Sequence, residues 1–180
     1  MHGLAVQAVL GYAQIDLFGK PPLVFGKYND RELKEGEVRK LLKAFYSDGV
    51  QRFHDIHAIP ILAKPEWYQS DSLTDNEKAM SELPILRWTE EGKREKGILA
   101  MGGRHRLNAV RHWRKNAQAS WEKANKAYED AKKRPDEVKE GELSKLGESL
   151  DDCEDELEGA GLWMVTIYDY GERCGLEGEE

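Results

Sequence analysis

Two glycines followed by three basic side chains give this sequence its clearest chemical signal. The segment reads Gly102-Gly103-Arg104-His105-Arg106. Glycine permits positive φ angles and close backbone approach, while guanidinium and imidazolium groups suit phosphate oxygens. A helix that begins here would also direct free backbone N–H groups and the positive end of its dipole toward an anion. The segment predicts a phosphate-binding turn; the alternative is a solvated helix after an ordinary glycine turn.

The charge pattern around this turn supports the phosphate interpretation. The whole chain is acidic, with a net charge of -7, yet residues 96–121 contain neither Asp nor Glu. The basic residues of the same range are Lys96, Arg104, Arg106, Arg111, Arg114 and Lys115. A local basic island in an acidic protein is what a phosphate site would produce.

The elements that must position this turn follow from the hydrophobic pattern. Residues 96–100 are compact and apolar, as expected for a strand that enters a core. Beyond the glycines, Leu107, Val110 and Trp113 have helical spacing. The same period continues until Pro135 interrupts it. We therefore predict a strand, a turn and a long helix.

Short apolar or β-branched runs predict further strands elsewhere in the chain. These runs are residues 4–10, 14–18, 57–63, 85–88 and 162–168. Pro60 lies in the third of them, and proline in a sheet usually occupies an edge or a bulge. We therefore expect an edge position or a bulge at Pro60.

Capping signals predict two helices before the glycine turn. Asp30 is a suitable N-cap for a helix that runs through Ser47 and stops at Gly49. Residues 74–77, Thr-Asp-Asn-Glu, match a capping box and predict a short helix after them. Residues 90–95 are predicted to form a charged turn.

A second amphipathic run lies beyond Pro135. Its apolar residues recur every three or four positions: Leu143, Leu146, Leu150, Cys153 and Leu157. Two helices with facing apolar seams and a short link predict an antiparallel helical hairpin over residues 118–161. The alternative is a disordered charged linker. Gly147 should weaken the second helix slightly.

The predicted order of elements, together with the glycine turn, resembles the ParB/sulfiredoxin-like superfamily. Residues 47–51, Ser-Asp-Gly-Val-Gln, resemble the family's helix end and following Gln before a strand. Residues 102–106 lie between the Gly-Glu-Arg-Arg pattern of ParB-type proteins and the Gly-Gly-Cys-His-Arg pattern of sulfiredoxins. The resemblance covers residues 14–117 and 162–169, and it implies an α+β fold with a small mixed sheet.

This resemblance also implies a domain organisation. The ParB/sulfiredoxin-like domain is expected at residues 1–117 together with 162–170. The inserted helical hairpin would then occupy residues 118–161, and residues 171–180 would form an acidic tail.

The resemblance implies a nucleotide site, because this superfamily holds the phosphates of ATP, ADP or CTP at the turn. Gly102, Gly103, Arg104, His105 and Arg106 are accordingly expected to bind a nucleoside di- or triphosphate, with Mg²⁺ bridging its phosphates. Hydrolysis of the nucleotide or phosphoryl transfer would be the corresponding activity, carried by positioning and charge neutralisation. The sequence identifies no catalytic residue and no metal ligands.

Departures from the family patterns limit the activity. Arg104 stands where sulfiredoxins need a nucleophilic thiolate, so sulfinic acid reduction is excluded. Gly103 replaces the Glu associated with ParB-type hydrolysis, and no helix-turn-helix pattern follows the last strand. The alternative function is a non-catalytic interaction module. Its hairpin would bind a partner protein or a second copy, and its turn would be vestigial or bind a nucleic-acid phosphate, which is less favoured.

Other polar residues carry weaker signals. Asp55 and His57 would share one face of a strand and could supply a base or a metal ligand, but two such residues are too few for a metal site. Asp16 and Asp30 are candidate carboxylates, with helix capping the simpler role for Asp30. His112 is expected on a helix surface. Core or helix-seam positions are expected for Trp113, Trp121, Trp163 and Tyr168.

The composition and the apolar pattern indicate the cellular compartment of the protein. No apolar run approaches the roughly 18 residues that a membrane span requires, and the N-terminus lacks the pattern of a secretory signal. The two cysteines, Cys153 and Cys174, fit a reducing compartment. We therefore expect an intracellular protein without a membrane partner.

Overall fold

A computed structural model describes residues 9–26, 32–75, 83–134, 139 and 141–170. Strands and α-helices follow one another along these residues. In chain order they are β1 (Val9–Asp16), β2 (Leu23–Phe25), α1 (Glu35–Asp48), β3 (Ile59–Ala63), α2 (Glu90–Arg94), β4 (Ile98–Ala100), α3 (Arg104–Lys132), α4 (Glu142–Gly159) and β5 (Leu162–Asp169). The α+β class predicted from the sequence is confirmed.

The five strands of the described residues form one mixed sheet in the order β1-β5-β3-β4-β2. Strand β5 pairs antiparallel with β1 and parallel with β3. Strand β4 pairs antiparallel with β3 and parallel with β2. The core is centred on β3 and β5, where Ile59, Ile61, Val165 and Ile167 are fully buried. The last strand in the sequence therefore lies inside the sheet, between two strands from the N-terminal half.

Internal contacts divide the chain into two compact units. The sheet belongs to a unit that runs up to Leu107 and resumes at Leu162, and Asn108–Gly161 form the other. The second unit contains most of α3 and all of α4, so the two predicted helices are confirmed. A Cβ added at Gly147 would lie 3.6 Å from Cε2 of Tyr128, which shows that α3 and α4 are in contact. No helix in the described ranges has the length and apolarity needed to cross a bilayer.

Strand β1 corrects the prediction of two short strands at residues 4–10 and 14–18. It is a single strand whose pairing with β5 extends from Val9 to Asp16, with one irregularity between Val9 and Gly11. Residues 1–8 lie outside the described ranges. The strand continues through residues 11–13, between the two predicted strands, because its partner β5 supplies hydrogen bonds along the whole of β1.

The predicted edge position of Pro60 is wrong, because β3 is the third of five strands. The register of β3 with β5 shows no shift at Pro60, so no bulge forms there. Strand β3 pairs with β4 only through Ile61 and Leu62, and the carbonyl of Pro60 accepts a hydrogen bond from the N–H of Met101 at 2.9 Å. Pro60 is tolerated in this interior strand because it lies at the end of the β3–β4 ladder, where its carbonyl still accepts and the ladder lacks one donor.

Helix α1 begins at Glu35 with Lys34 in its N-cap position, so Asp30 is not its cap. Asp30 itself lies outside the described residues, as do residues 76–82, on which the second predicted helix falls. The predicted stop at Gly49 is confirmed, with φ +77°.

Two predictions around residue 90 are also wrong. Residues 85–88 form isolated bridges, Ile85 with Gln14 and Trp88 with Tyr68, instead of a strand. The predicted charged turn is helix α2, whose first turn is capped when the hydroxyl of Thr89 accepts from the N–H of Gly92. The run of charged residues did not indicate a helix. The residue that stabilises this helix, its N-cap Thr89, lies one position before the run.

Candidate functional site

The glycine turn joins β4 to α3 as predicted. Gly103 has φ +87°, and α3 begins at the next residue, Arg104, as a helix of 29 residues. A Cβ added at Gly103 would lie 3.0 Å from Cγ1 of Ile59, so the turn passes close to β3. The first turn of α3 contains no acidic residue. The positive end of this long helix therefore faces no negative charge from its own first turn.

His105 connects this turn to the start of α1. Its Nε2 accepts a hydrogen bond from the backbone N–H of Lys34 at 3.0 Å, across 71 residues of sequence. The predicted phosphate ligand thus also holds the N-terminus of α1 beside the glycine turn.

An open cleft of about 660 Å³ lies beside His105. Its lining comprises Glu32, Lys34, Glu37, Leu41 and His105. The ammonium group of Lys40 lies 2.9 Å from Oε1 of Glu37, and this hydrogen bond and charge lower the pKa of Glu37. Glu37 is therefore ionised at neutral pH. The lining carries two carboxylates and the ammonium group of Lys34, and Lys40 pairs with Glu37 from outside the lining.

Arg106 extends to a different place. Its Nη1 donates to the carbonyl oxygen of His57, and its Nη2 lies 3.3 Å from Nδ1 of the same residue. The guanidinium carbon is 5.8 Å from the ring centre of Trp163, whose Nε1 donates to the carbonyl of His57 at 2.8 Å. Burial lowers the pKa of Arg106, but an arginine remains a cation in proteins. Within the sheet-containing unit, Arg106 therefore ties the first turn of α3 to the segment that precedes β3.

His57 lies in a short 3₁₀ turn, Asp55–His57, outside the strand predicted to contain it. The expected same-face pair of Asp55 and His57 is therefore wrong. Instead, Oδ1 of Asp55 lies 2.6 Å from Nδ1 of His54, and the rings of His54 and His57 are 5.7 Å apart. Burial, then the charges of Arg106 and His54, lower the pKa of His57. The ring of His57 is therefore neutral at pH 7.

A second cleft, of about 120 Å³, lies along the C-terminal half of α1. It is lined by Leu41, Ala44, Phe45, Asp48, Gly49, Gln51, His57, Arg106 and Trp163. Leu41 borders both clefts. Trp163 is buried, so its predicted core position is confirmed, and sequence reasoning assigned no binding role to Phe45. The helical spacing of Leu41, Ala44, Phe45 and Asp48 was the one signal that could have indicated a common face.

The predicted phosphate-binding residues thus divide between the two clefts. His105 lines the larger cleft and Arg106 the smaller, while Arg104 is half-buried at the start of α3. Among the weaker candidates, Asp16 accepts from the N–H of Phe18 at 2.9 Å. His112 is exposed and Trp113 is buried, as expected.

No group of three or more His, Cys, Asp or Glu side chains is placed to hold a metal ion in the described part of the chain. Comparisons with models of protein families, with curated proteins and with solved structures find no match. The function must therefore be inferred from the residues of this chain.

Proposed function

We propose that this chain is an intracellular protein that binds the phosphates of a nucleoside di- or triphosphate at the turn Gly102–Arg106, within a ParB/sulfiredoxin-like domain. The observation that carries the proposal is the left-handed Gly103 directly before a 29-residue helix, beside a cleft of about 660 Å³. Small-molecule clefts are typically about 300–1,000 Å³, so a nucleotide would fit. The strand–turn–helix order that carried the family resemblance supports the fold assignment, and the low cysteine content supports the location.

Each element of the site would have a distinct task. The first backbone N–H groups of a helix have no partner within it, so those of α3 would bind phosphate oxygens. Lys34 lines the cleft and would add a positive charge. His105 would keep Lys34 in place through its hydrogen bond to the Lys34 N–H. Arg106 would position the turn through His57, since its guanidinium group is engaged there.

The charge of the larger cleft predicts a requirement for Mg²⁺. Glu32 and Glu37 line it. Lys40 offsets the charge of Glu37 only in part, because this ion pair is exposed to water, so the carboxylates would repel a bare polyphosphate. Mg²⁺ is usually held by one or two carboxylates together with substrate phosphates, so this donor set fits the ion. Glu32 and Glu37 would hold it, and the bound ion would neutralise phosphate charge.

Thermal unfolding with ATP, ADP, CTP and GTP, each with and without Mg²⁺, tests the proposal. A ligand at 100 times its Kd adds about 2.7 kcal/mol to the stability, so a rise in Tm is expected only when Mg²⁺ is present. Lys34→Gln should reduce the shift. Lys43→Gln, an exposed change on the same helix outside the cleft lining, should leave it intact.

An unchanged Tm with every nucleotide and Mg²⁺ would overturn the proposal. Release of inorganic phosphate, measured in the same samples, would separate simple binding from hydrolysis. Transfer to an added acceptor would separate hydrolysis from phosphoryl transfer.

A second candidate is a non-catalytic interaction module. One observation favours it: His105 and Arg106, two of the three basic side chains of the turn, already bind main-chain groups of this chain. The helical hairpin would then contact a partner protein or a second copy. Concentration-dependent sedimentation, together with a Tm that no nucleotide changes, would favour this candidate.

A further inference from the structure

Arg106 carries a positive charge that is not neutralised by any carboxylate of the described residues. Its guanidinium group contacts two neutral acceptors, the carbonyl oxygen and the Nδ1 atom of His57. The ion pairs in this part of the chain involve other side chains. A cation withdrawn from water is normally paired with an anion, because desolvation is costly. Arg106 is thus a charged group with unused capacity for an anionic partner.

The smaller cleft places this charge next to an apolar surface. Leu41, Ala44 and Phe45 supply one wall, and the lining also includes Arg106 and Trp163, of which Trp163 is only 1% exposed. The ring centres of Phe45 and Trp163 lie 6.2 Å apart at an angle of 50°. A flat ring can pack against such a wall in a tilted arrangement. A branched apolar group can pack there through ordinary apolar contacts.

The size of the cleft limits the ligand. Its volume is about 120 Å³, and an engineered protein cavity of about 150 Å³ binds benzene. The cleft therefore accepts a group of about one ring. A guanidinium group has five N–H donors, and two are directed at His57. The remaining donors suit the two oxygens of one carboxylate.

Among the described lining residues, Asp48 is the acidic side chain, and it does not pair with Arg106. Asp48 is exposed at the end of α1 and forms no ion pair with Arg106. Gln51 adds an amide that can donate or accept a hydrogen bond. The described residues of this lining therefore supply no anion that pairs with Arg106.

We propose that the smaller cleft binds a small monocarboxylate with one aromatic ring or branched apolar group, whose carboxylate pairs with Arg106 while its apolar part packs on Leu41, Ala44 and Phe45, with the buried Trp163 ring beside Phe45. This site shares Arg106 with the proposed nucleotide-binding turn, but it uses a different cleft and a different ligand and does not depend on nucleotide binding. Each is tested by a different ligand, so the failure of one leaves the other standing.

Benzoate is the probe, and benzamide is its neutral counterpart of the same shape. Binding to the full chain is measured by calorimetric titration and by the NMR shift of the Trp163 indole N–H, assigned with Trp163→Phe. Charge-assisted hydrogen bonds are about twice as strong as neutral ones, so benzoate should bind at least about tenfold more tightly than benzamide. The Trp163 indole signal should move on titration.

Two variants test the contribution of the cleft volume and that of the Arg106 charge separately. Ala44→Leu fills the cleft and leaves Arg106 in place, so benzoate binding should weaken at least about tenfold. Ser47→Leu adds similar bulk at an exposed position of α1 and should bind like the wild type. Arg106→Gln should remove the preference for benzoate over benzamide, while Arg111→Gln, an exposed change of the same charge on α3, should retain it.

Equal affinity for benzoate and benzamide would overturn the proposal, as would the absence of binding at millimolar concentrations. Wild-type affinity in Ala44→Leu would also overturn it, and this variant is decisive even if Arg106→Gln does not fold.

Discussion

Gly103 is the residue on which the geometry of the turn depends. Its φ of +87° is a conformation that other residues adopt at a cost, and a Cβ there would meet Cγ1 of Ile59 at 3.0 Å. Gly103→Ala should lower the free energy of unfolding by about 1–3 kcal/mol. Gly36→Ala, within α1 and with no atom within 4 Å of the added Cβ, should raise it by up to about 1 kcal/mol. Urea denaturation measures both, and equal effects would contradict this account.

His57 should make the stability of the protein sensitive to mild acid. Its folded-state pKa is lowered from the ordinary value of 6.5 by burial and by the charges of Arg106 and His54. The unfolded chain therefore binds a proton more readily than the folded one. The stability that neutral His57 contributes is present above about pH 6.5 and is lost as the pH falls through the folded-state pKa.

The comparison that checks this is urea denaturation at about pH 7.5 and pH 5. The variant His57→Gln should lose less stability on acidification than the wild type. His112→Gln, an exposed change on α3, should follow the wild type. Parallel losses in the wild type and His57→Gln would show that His57 does not contribute.

At the scale of elements, one carbonyl oxygen joins three parts of the sheet-containing unit. The carbonyl of His57, in the 3₁₀ turn before β3, accepts from Nη1 of Arg106 in α3 and from Nε1 of Trp163 in β5. If either donor is removed, the other still satisfies the oxygen. Removal of both leaves a half-buried acceptor without a partner, which is the costly state.

A double-mutant cycle of Arg106→Met and Trp163→Phe measures this coupling. The double variant should lose more unfolding free energy than the sum of the single variants, by about 0.5–3 kcal/mol. Trp67→Phe combined with Arg106→Met is the control, because Trp67 packs against Tyr170, with ring centres 5.6 Å apart, and donates nothing to His57. That pair should be additive to within about 0.5 kcal/mol. If the effects of Arg106→Met and Trp163→Phe were additive, the proposal that their side chains share the His57 carbonyl as an energetically coupled acceptor would be excluded.

At the scale of the whole molecule, the net charge of -7 opposes general binding to nucleic acid. Each phosphate that a protein neutralises contributes about -0.9 to the slope of log K against log salt concentration. We expect weak binding to duplex DNA and a slope close to zero in fluorescence-anisotropy titrations at several salt concentrations. A slope steeper than about -3 would instead identify a basic surface that engages several phosphates.

The local pattern of the sequence was sufficient for some elements. The helical spacing of Leu107, Val110 and Trp113 and the glycines before them correctly predicted the turn and the start of α3. The β-branched and aromatic residues of 162–168 correctly predicted β5. These are properties of neighbouring residues, since helix and strand periodicity and positive φ are decided within a few positions of the chain.

The local pattern misled where a distant partner decided the outcome. Lys34 is the N-cap of α1 and lies beside His105, which is 71 residues further along the chain. Pro60 was expected at an edge because a proline lacks a donor, but β4 and β5 place its strand inside the sheet. In each case the free energy of a tertiary contact outweighed a local preference of about 1 kcal/mol or less.

The sequence by itself determined the α+β class, the glycine turn, the two long helices and the residue types that could bind phosphate. Only the tertiary structure decided that His105 and Arg106, adjacent in the chain, serve different clefts and that β5 lies between β1 and β3. Backbone conformation is governed by near neighbours in the chain. The direction and partners of a side chain instead depend on distant groups that come together only when the chain folds. His57, for example, lies 49 residues away from Arg106 in the sequence.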